Sequence, residues 1–423
     1  MGSLLGTSAA LFVLGVPIAL AMAAGGLALI YARGDLLLIG PATMFAGLDK
    51  TPIMAIPFFI LAAEILSRGG QVAKLIAAID GLIGHYRGGL AIVAVLATMV
   101  FSAVSGSSIA TAAAIGLTII PQMIQRGYPE RFAVGLIAAA GGLGILIPPS
   151  IPMIIYGTVT GQSVGQLFQA GLLPGIMLGA SLCAVAVHHA RKAGIGGREP
   201  TPWAERGRLI YDAKAILLFP VIILGSIYGG IFTPSESSAL AVVYALVITL
   251  PSYLRQGAGH LFRVLAEASA TTAAILIILS GAALFGYAVT LSGVTRAVVG
   301  WIPELGLSSF QFLLLINLLF LVLGMFLEVI SIILIAMPIL VPLLDMFDIN
   351  PVHFCIIVVM NMEIAVITPP IGLNLFAIAT ISKRPVSEVF RGVVPFYWVI
   401  LLNLILVTYV SDISLLLARL APL

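Results

Sequence analysis

The sequence predicts an all-α polytopic membrane protein, an inverted repeat with two re-entrant hairpins and two broken helices. Three observations carry that prediction: composition, the length of the apolar runs, and motifs that recur at one fixed offset. Hydrophobic residues make up 61% of the 423 positions and charged residues 9%, with mean hydropathy +1.18. A soluble domain carries about a quarter charged residues, so lipid is the solvent this chain is written for. The apolar runs are long and show no two-residue alternation, which favours helices over a barrel. The net charge of +3, without a basic run, gives no reason to expect nucleic acid as a partner. Cys183 and Cys355 both sit in apolar segments and read as packing residues.

In chain order, crossings of roughly 20 residues fit residues 4–31, 51–66, 132–159 and 164–190, then 215–232, 237–254, 271–291, 354–381 and 393–413. The first has no basic leader and is too long for a signal-peptide core, so it reads as a retained span. The polar stretch 191–214, with Gly194, Gly196, Gly197, Pro200 and Pro202, divides the chain into halves 1–190 and 215–423. Of the 20 Lys and Arg, only Arg33, Lys50, Arg296 and Arg419 fall on one side of this topology; the rest, Arg198 among them, mark the cytoplasmic side. Amphipathic stretches at 72–83 and 260–268 read as interfacial arms or plain connectors.

Two of the spans cannot be continuous helices. Residues 141–150 read Gly-Gly-Leu-Gly-Ile-Leu-Ile-Pro-Pro-Ser, and 364–372 read Ile-Ala-Val-Ile-Thr-Pro-Pro-Ile-Gly. Proline lacks the N–H and turns the preceding residue away from the helical region. Backbone groups freed at mid-membrane must face protein or a watery cavity. Two further regions, 88–123 and 308–344, have Ser105-Gly106-Ser107-Ser108 and Gly324 with Glu328 at their centres. Each reads as a re-entrant hairpin whose tip meets a break; the alternative is a pair of ordinary kinked spans. Pro148-Pro149 and Pro369-Pro370, Pro121 and Pro342, and Gly171 to Pro174 and Gly392 to Pro395 all recur at one offset. With nine crossings the copies enter from opposite sides, which makes the repeat inverted, with a site near the midplane.

The chemistry is expected where tips meet breaks. Ser102, Ser105 and the carbonyls of Gly144 and Ile147 offer hard oxygen donors for Na⁺ in the first copy. Gly324, Glu328, Asn361, Glu363 and Thr368 offer them in the second. A carboxylate inside a membrane segment is costly and marks function by default; Glu328 and Glu363 can bind a cation, carry a proton or bond a neighbouring helix. No Lys or Arg occurs over residues 88–125 or 132–190. An anionic substrate would therefore rest on helix N-termini and on Ser107, Ser108, Thr111, Ser150, Thr368 and Asn374.

At these residues the chain resembles a family. Ser-Gly-Ser-Ser-Ile-Ala-Thr-Ala-Ala-Ala-Ile-Gly from 105, Gly-Ile-Leu-Ile-Pro-Pro-Ser from 144 and Leu-Phe-Gln-Ala-Gly-Leu-Leu-Pro-Gly from 167 are similar to the large membrane subunit of TRAP (tripartite ATP-independent periplasmic) transporters, DctM-like. Gly-Gly-Ile-Phe-Thr-Pro-Ser-Glu from 229 and Ile-Thr-Pro-Pro-Ile-Gly-Leu-Asn-Leu from 367 agree. The resemblance implies sodium-driven import of organic acids (C4-dicarboxylate, keto acid or sugar acid) across a bacterial inner membrane. It implies an elevator mechanism, in which a transport domain moves against a scaffold. It also implies a small four-helix membrane subunit, expected as a separate chain, and a soluble periplasmic substrate-binding protein. Glu328 stands where the family pattern has Asp. A stand-alone carboxylate/sodium symporter of related fold is the alternative. An enzyme is not expected, because the five His are scattered near span ends without ligand or catalytic spacing.

Overall fold

The computed structural model describes residues 2–195, 197 and 199–420, and among these every regular element is helical. Nine helical stretches of the described residues are long and apolar enough to cross a membrane. The number equals the expectation, but the membership differs. Residues 4–31 do not form one crossing: Gly2–Val13 ends in a turn, and Ile18–Arg33 packs back against it. Gly15 in the left-handed region and Pro17 at the next N-cap stop the helix there. The short helix Ile39–Leu48 follows, between the first two crossings expected from the sequence. Residues 354–381 drop out as well, divided at the proline pair into the shorter Pro351–Ala365 and Leu373–Ser382. Ser108–Gln125 and Val329–Phe347, the second arms of the two hairpins, take the two places.

The divider between the halves is shorter than residues 191–214. Trp203–Tyr228 is one helix opened by Pro202, so the polar residues up to Lys214 extend a spanning helix. Gly196 and Arg198 lie outside the described residues. The stretch 260–268 is likewise no separate arm but the start of the 35-residue helix Ala258–Ser292. At 1.5 Å per residue that helix is about 52 Å long, well beyond a ~30 Å hydrocarbon core. It packs against Ile18–Arg33, Ile39–Leu48, Ala55–Arg68 and Val329–Leu344. Small residues allow the approach: a Cβ on Gly281 would run into the Ala19 carbonyl, and one on Gly47 into Ala283.

Both copies then repeat one order. The first has a hairpin (Gly89–Ser105 and Ser108–Gln125), a broken segment (Glu130–Gly141, Leu143–Leu146, Ile151–Thr160) and the long helix Val164–Lys192. The second has Ser309–Gly324 and Val329–Leu344, then Pro351–Ala365 and Leu373–Ser382, then Val386–Tyr409. The copies interlock. Ser108–Gln125 packs on Leu373–Ser382, and Val329–Leu344 packs on Ile151–Thr160, so each second arm rests on the other copy's broken segment. Glu130–Gly141 also lies along Val386–Tyr409, where Gly135 and Gly392 face each other with no room for a side chain.

The core is centred on the breaks. In Glu130–Thr160, 94% of the apolar window is buried, against 33% in Pro234–Gln256, so the former is wrapped in protein and the latter lies at the periphery. Gln71–Ile83 packs between Trp203–Tyr228 and Gly89–Ser105, and Arg126 holds its Asp80 with two bonds of 2.9 and 2.8 Å. At the repeat offset, its counterpart in the second copy is the short helix Val294–Trp301.

Candidate functional site

The first hairpin turns on Gly106, at φ +62, a conformation that costs glycine little and other residues more. Around it the hydroxyls close the tip. The Ser105 hydroxyl lies 2.6 Å from Thr111 Oγ1 and 3.0 Å from the Ser107 carbonyl, and it accepts the Ser107 N–H at 3.2 Å. Ser107 caps the second arm by accepting the Ala110 N–H. The tip is tied to the break, because the Ile151 N–H donates to the Gly106 carbonyl at 3.3 Å. Gly144 lies so close that a Cβ there would strike the Ser107 carbonyl oxygen and sit 2.7 Å from Thr111 Oγ1. Ser105, Ser107, Thr111 and Gly144 thus come together as expected.

Three other candidates take a different position. Ser102 gives its proton to the Thr98 carbonyl at 2.7 Å, one turn below the tip. Ser108 is buried in the first turn of the second arm. Ser150 donates to the Ile145 carbonyl at 2.6 Å and caps Ile151–Thr160 through the Met153 N–H. The Ser102 and Ser150 protons are therefore spent on the backbone. Ile147 is extended (φ −81, ψ 123), which takes its carbonyl out of the helical ladder.

In the second copy Glu328 occupies the N-cap of Val329–Leu344, the station Ser107 holds in the first. The Ile371 N–H donates to the Met325 carbonyl at 3.3 Å, repeating the tie of tip to break. Gly324 packs on Ala365 and Met362. Thr368 Oγ1 donates to the Ile364 carbonyl at 2.6 Å. Asn361 is held by its amide nitrogen, which donates to the Ile357 carbonyl and to Asn317 Oδ1; Asn317 in turn donates to Thr408 Oγ1 at 3.2 Å. The Asn361 Oδ1 is left buried without a hydrogen-bond partner among the described residues.

Glu363 departs from expectation. Two residues beyond Asn361, it points roughly 200° around the helix and meets the first broken segment, not the second hairpin. A Cβ on Gly142 would lie 2.5 Å from its Oε2. Asn374 crosses over in the same way, donating from Nδ2 to the Ala138 carbonyl at 3.3 Å. Both side chains therefore serve the contact between the two breaks.

Four helix N-termini start at the tips and breaks: those of Ser108–Gln125, Ile151–Thr160, Val329–Leu344 and Leu373–Ser382. Their positive ends suit an anion, while the carbonyl ends of Gly89–Ser105, Ser309–Gly324 and Pro351–Ala365 suit a cation. On the flank of the first hairpin a cavity of about 410 Å³ is lined by Glu64, Arg68, Ser105 and Thr118. By sequence Arg68 is simply one of the cytoplasmic charges. Its bond to Glu267 (2.6 Å) and its place beside the hairpin follow from the packing of Ala55–Arg68, which no local pattern announces.

The family model of the DctM component of tripartite ATP-independent periplasmic transporters matches residues 5–413. The chain belongs to the DctM family. Among similar proteins is the C4-dicarboxylate TRAP transporter large permease protein of Pseudomonas aeruginosa, 41% identical over 88% of this chain and 87% of that one. The corresponding protein of Rhodobacter capsulatus is 41% identical over 89% of each chain. The 2,3-diketo-L-gulonate permease protein of Escherichia coli is 33% identical over 98% of this chain and 97% of its own length. The structure is similar in fold to the Alcanivorax borkumensis YdaH transporter, described as having an unusual topology. The TM-score is 0.63 at 13% identity, covering 89% of this chain and 87% of that one. As a DctM protein the chain is the large membrane subunit of a TRAP-type secondary transporter in the bacterial inner membrane, and not an enzyme.

Proposed function

We propose that this chain imports a small organic acid, a C4-dicarboxylate, keto acid or sugar acid, driven by sodium. The observation that carries the reading is the tie made twice, Ile151 N–H to Gly106 O and Ile371 N–H to Met325 O. It holds each hairpin tip against a break that offers bare carbonyls and helix ends. One Na⁺ sits at the first tip among the carbonyls of Ser107, Gly144 and Ile147, with Ser105 closing the shell. A second sits at the other tip near Gly324, Glu328, Asn361 and the Thr368 carbonyl. Substrate carboxylates take the N-termini at Ser107, Ser108 and Thr111 and at the start of Leu373–Ser382. A Na⁺ beside each tip supplies the positive charge that the absent Lys and Arg do not.

Both pairs travel as one transport domain, because each hairpin packs on the other copy's break and neither can move alone. The scaffold is the periphery, led by Ala258–Ser292, and Gln71–Ile83 and Val294–Trp301 join the two as arms. The system includes a small four-helix membrane subunit and a periplasmic protein that delivers substrate. The test is uptake into proteoliposomes holding this chain with both partners. Accumulation only under an inward sodium gradient supports the reading; equal accumulation without one overturns it. Uptake by this chain alone would establish the stand-alone symporter in its place.

A further inference from the structure

We infer that Glu363 and Asn374 form a third centre for a sodium-sized monovalent cation, lying between the two broken segments and apart from both hairpin tips. Glu363 is 1% exposed, and neither carboxylate oxygen has a hydrogen-bond partner among the described residues. Asn374 is fully buried, and its Oδ1 also lacks a partner, because its Nδ2 is used on the Ala138 carbonyl. Both side chains lie beside consecutive glycines: Asn374 Nδ2 would be 3.1 Å from a Cβ on Gly141, and Glu363 Oε2 would be 2.5 Å from one on Gly142.

Three acceptor oxygens are thus buried where the two repeats cross, with no donor among the described residues to meet them. An uncompensated carboxylate in such a place is strongly unfavourable, and a carboxamide oxygen adds a smaller penalty of the same sign. A cation held between the two side chains gives these oxygens the partner they lack. The pattern is the ligand chemistry of a hard monovalent ion, one carboxylate with neutral oxygens. Glycine at 142 lets the carboxylate lie close against the first broken segment, since any side chain there would press on it. The centre spans the repeats, with Gly141 and Gly142 from the first and Glu363 and Asn374 from the second, so an ion there fastens the two halves together. This extends the sodium reading given above to a site of different composition, and it can be tested apart from it.

The experiment is thermal unfolding of the purified full-length chain in detergent, titrated with NaCl against choline chloride at constant ionic strength. Glu363→Gln, Asn374→Leu, Gly142→Ala and the tip variant Ser105→Ala are compared with the unchanged protein. The expected result is that Glu363→Gln and Gly142→Ala each weaken apparent sodium affinity tenfold or more and lower the Hill coefficient. Ser105→Ala should keep the response of this centre while losing part of the total. Glu363→Gln keeps the shape and burial of the side chain, and Asn374→Leu checks that the effect needs the oxygen and not the packing alone. A full sodium response in Glu363→Gln overturns the inference and leaves the carboxyl as a neutral acid. A chain with no sodium-specific shift before any substitution refutes the sodium reading of the tips as well.

Discussion

The two hairpin-and-break pairs share one plan but differ in how firmly each is shut. In the first pair Pro148, Pro149 and Ser150 are all buried, and three hydroxyls knit the tip to itself. In the second pair Pro369, Pro370 and Ile371 are exposed, as is Phe326 at the tip, and the two arms hardly touch each other. Ser107 at the first N-cap becomes Glu328 at the second, a carboxyl group in place of a capping hydroxyl. A repeat fixes the backbone route twice, but the side chains at the turn decide how freely each tip moves. The second pair is the looser of the two.

Glycine substitutions put the largest strain on this comparison. In the first pair Gly144→Ala pushes a methyl group into the Ser107 carbonyl, which is backbone and cannot swing aside. We expect a loss of ~3 kcal/mol, the upper end for overpacking, with no residual uptake. In the second pair Gly324→Ala runs into Ala365 Cβ, which moves only with its helix, beside the pliable Met362, and we expect about 2 kcal/mol by the same scale with uptake reduced. Thermal unfolding of both variants in detergent decides this, and equal losses would end the idea of a rigid half and a loose half.

Next in size is Asn317→Leu. It removes the acceptor of the Asn361 amide and a donor to Thr408, and should cost ~1–2 kcal/mol for buried polar groups left unpaired. Because Asn361 Oδ1 is aimed only while its nitrogen is held, uptake should need more sodium at half-saturation. A stability loss with unchanged sodium dependence would make Asn317 purely structural. In the first pair, a double-mutant cycle of Ser105→Ala and Thr111→Val should return a coupling of about 1 kcal/mol for their shared bond. A coupling near zero would mean the hydroxyls do not close the tip.

Hydrogen exchange sharpens the comparison without any substitution. Amides of Met325 to Glu328 should exchange at least tenfold faster than those of Gly106 and Ser107, read by mass spectrometry on the purified chain. The smallest effect is expected from Arg384→Gln. Arg384 pairs with Glu130 across the two copies and its guanidinium is held above its ordinary value by that carboxylate, but the pair is solvent-exposed. Screening leaves such pairs little weight, so the unfolding temperature should not change measurably.

Much of the architecture was legible because proline and glycine act locally. The paired prolines end their helices wherever they occur, so both breaks and both hairpins fall where the chain announces them. Gly15 and Pro17 act by the same rule, yet the long apolar run around them hid the turn at Leu14–Pro17. The cutoff of the divider at Trp203 was equally hidden, since polar residues in 203–214 look the same whether they loop or extend a helix out of the membrane. Within the site, Ser105, Ser107, Thr111 and Gly144 were legible as a cluster because they lie within one turn and its facing break.

Glu363 shows the limit most clearly. Sequence alone determined that a carboxylate sits in a broken, membrane-buried helix, and that such a group demands a partner, because residue type and solvent set that cost. The direction it faces was decided by tertiary structure alone. A side chain two positions from Asn361 is thrown to the far side of the helix, and what waits there depends on how the two repeats interlock. Local pattern writes the breaks into the chain; only the packing of one break against the other brings Glu363 and Asn374 to Gly141 and Gly142.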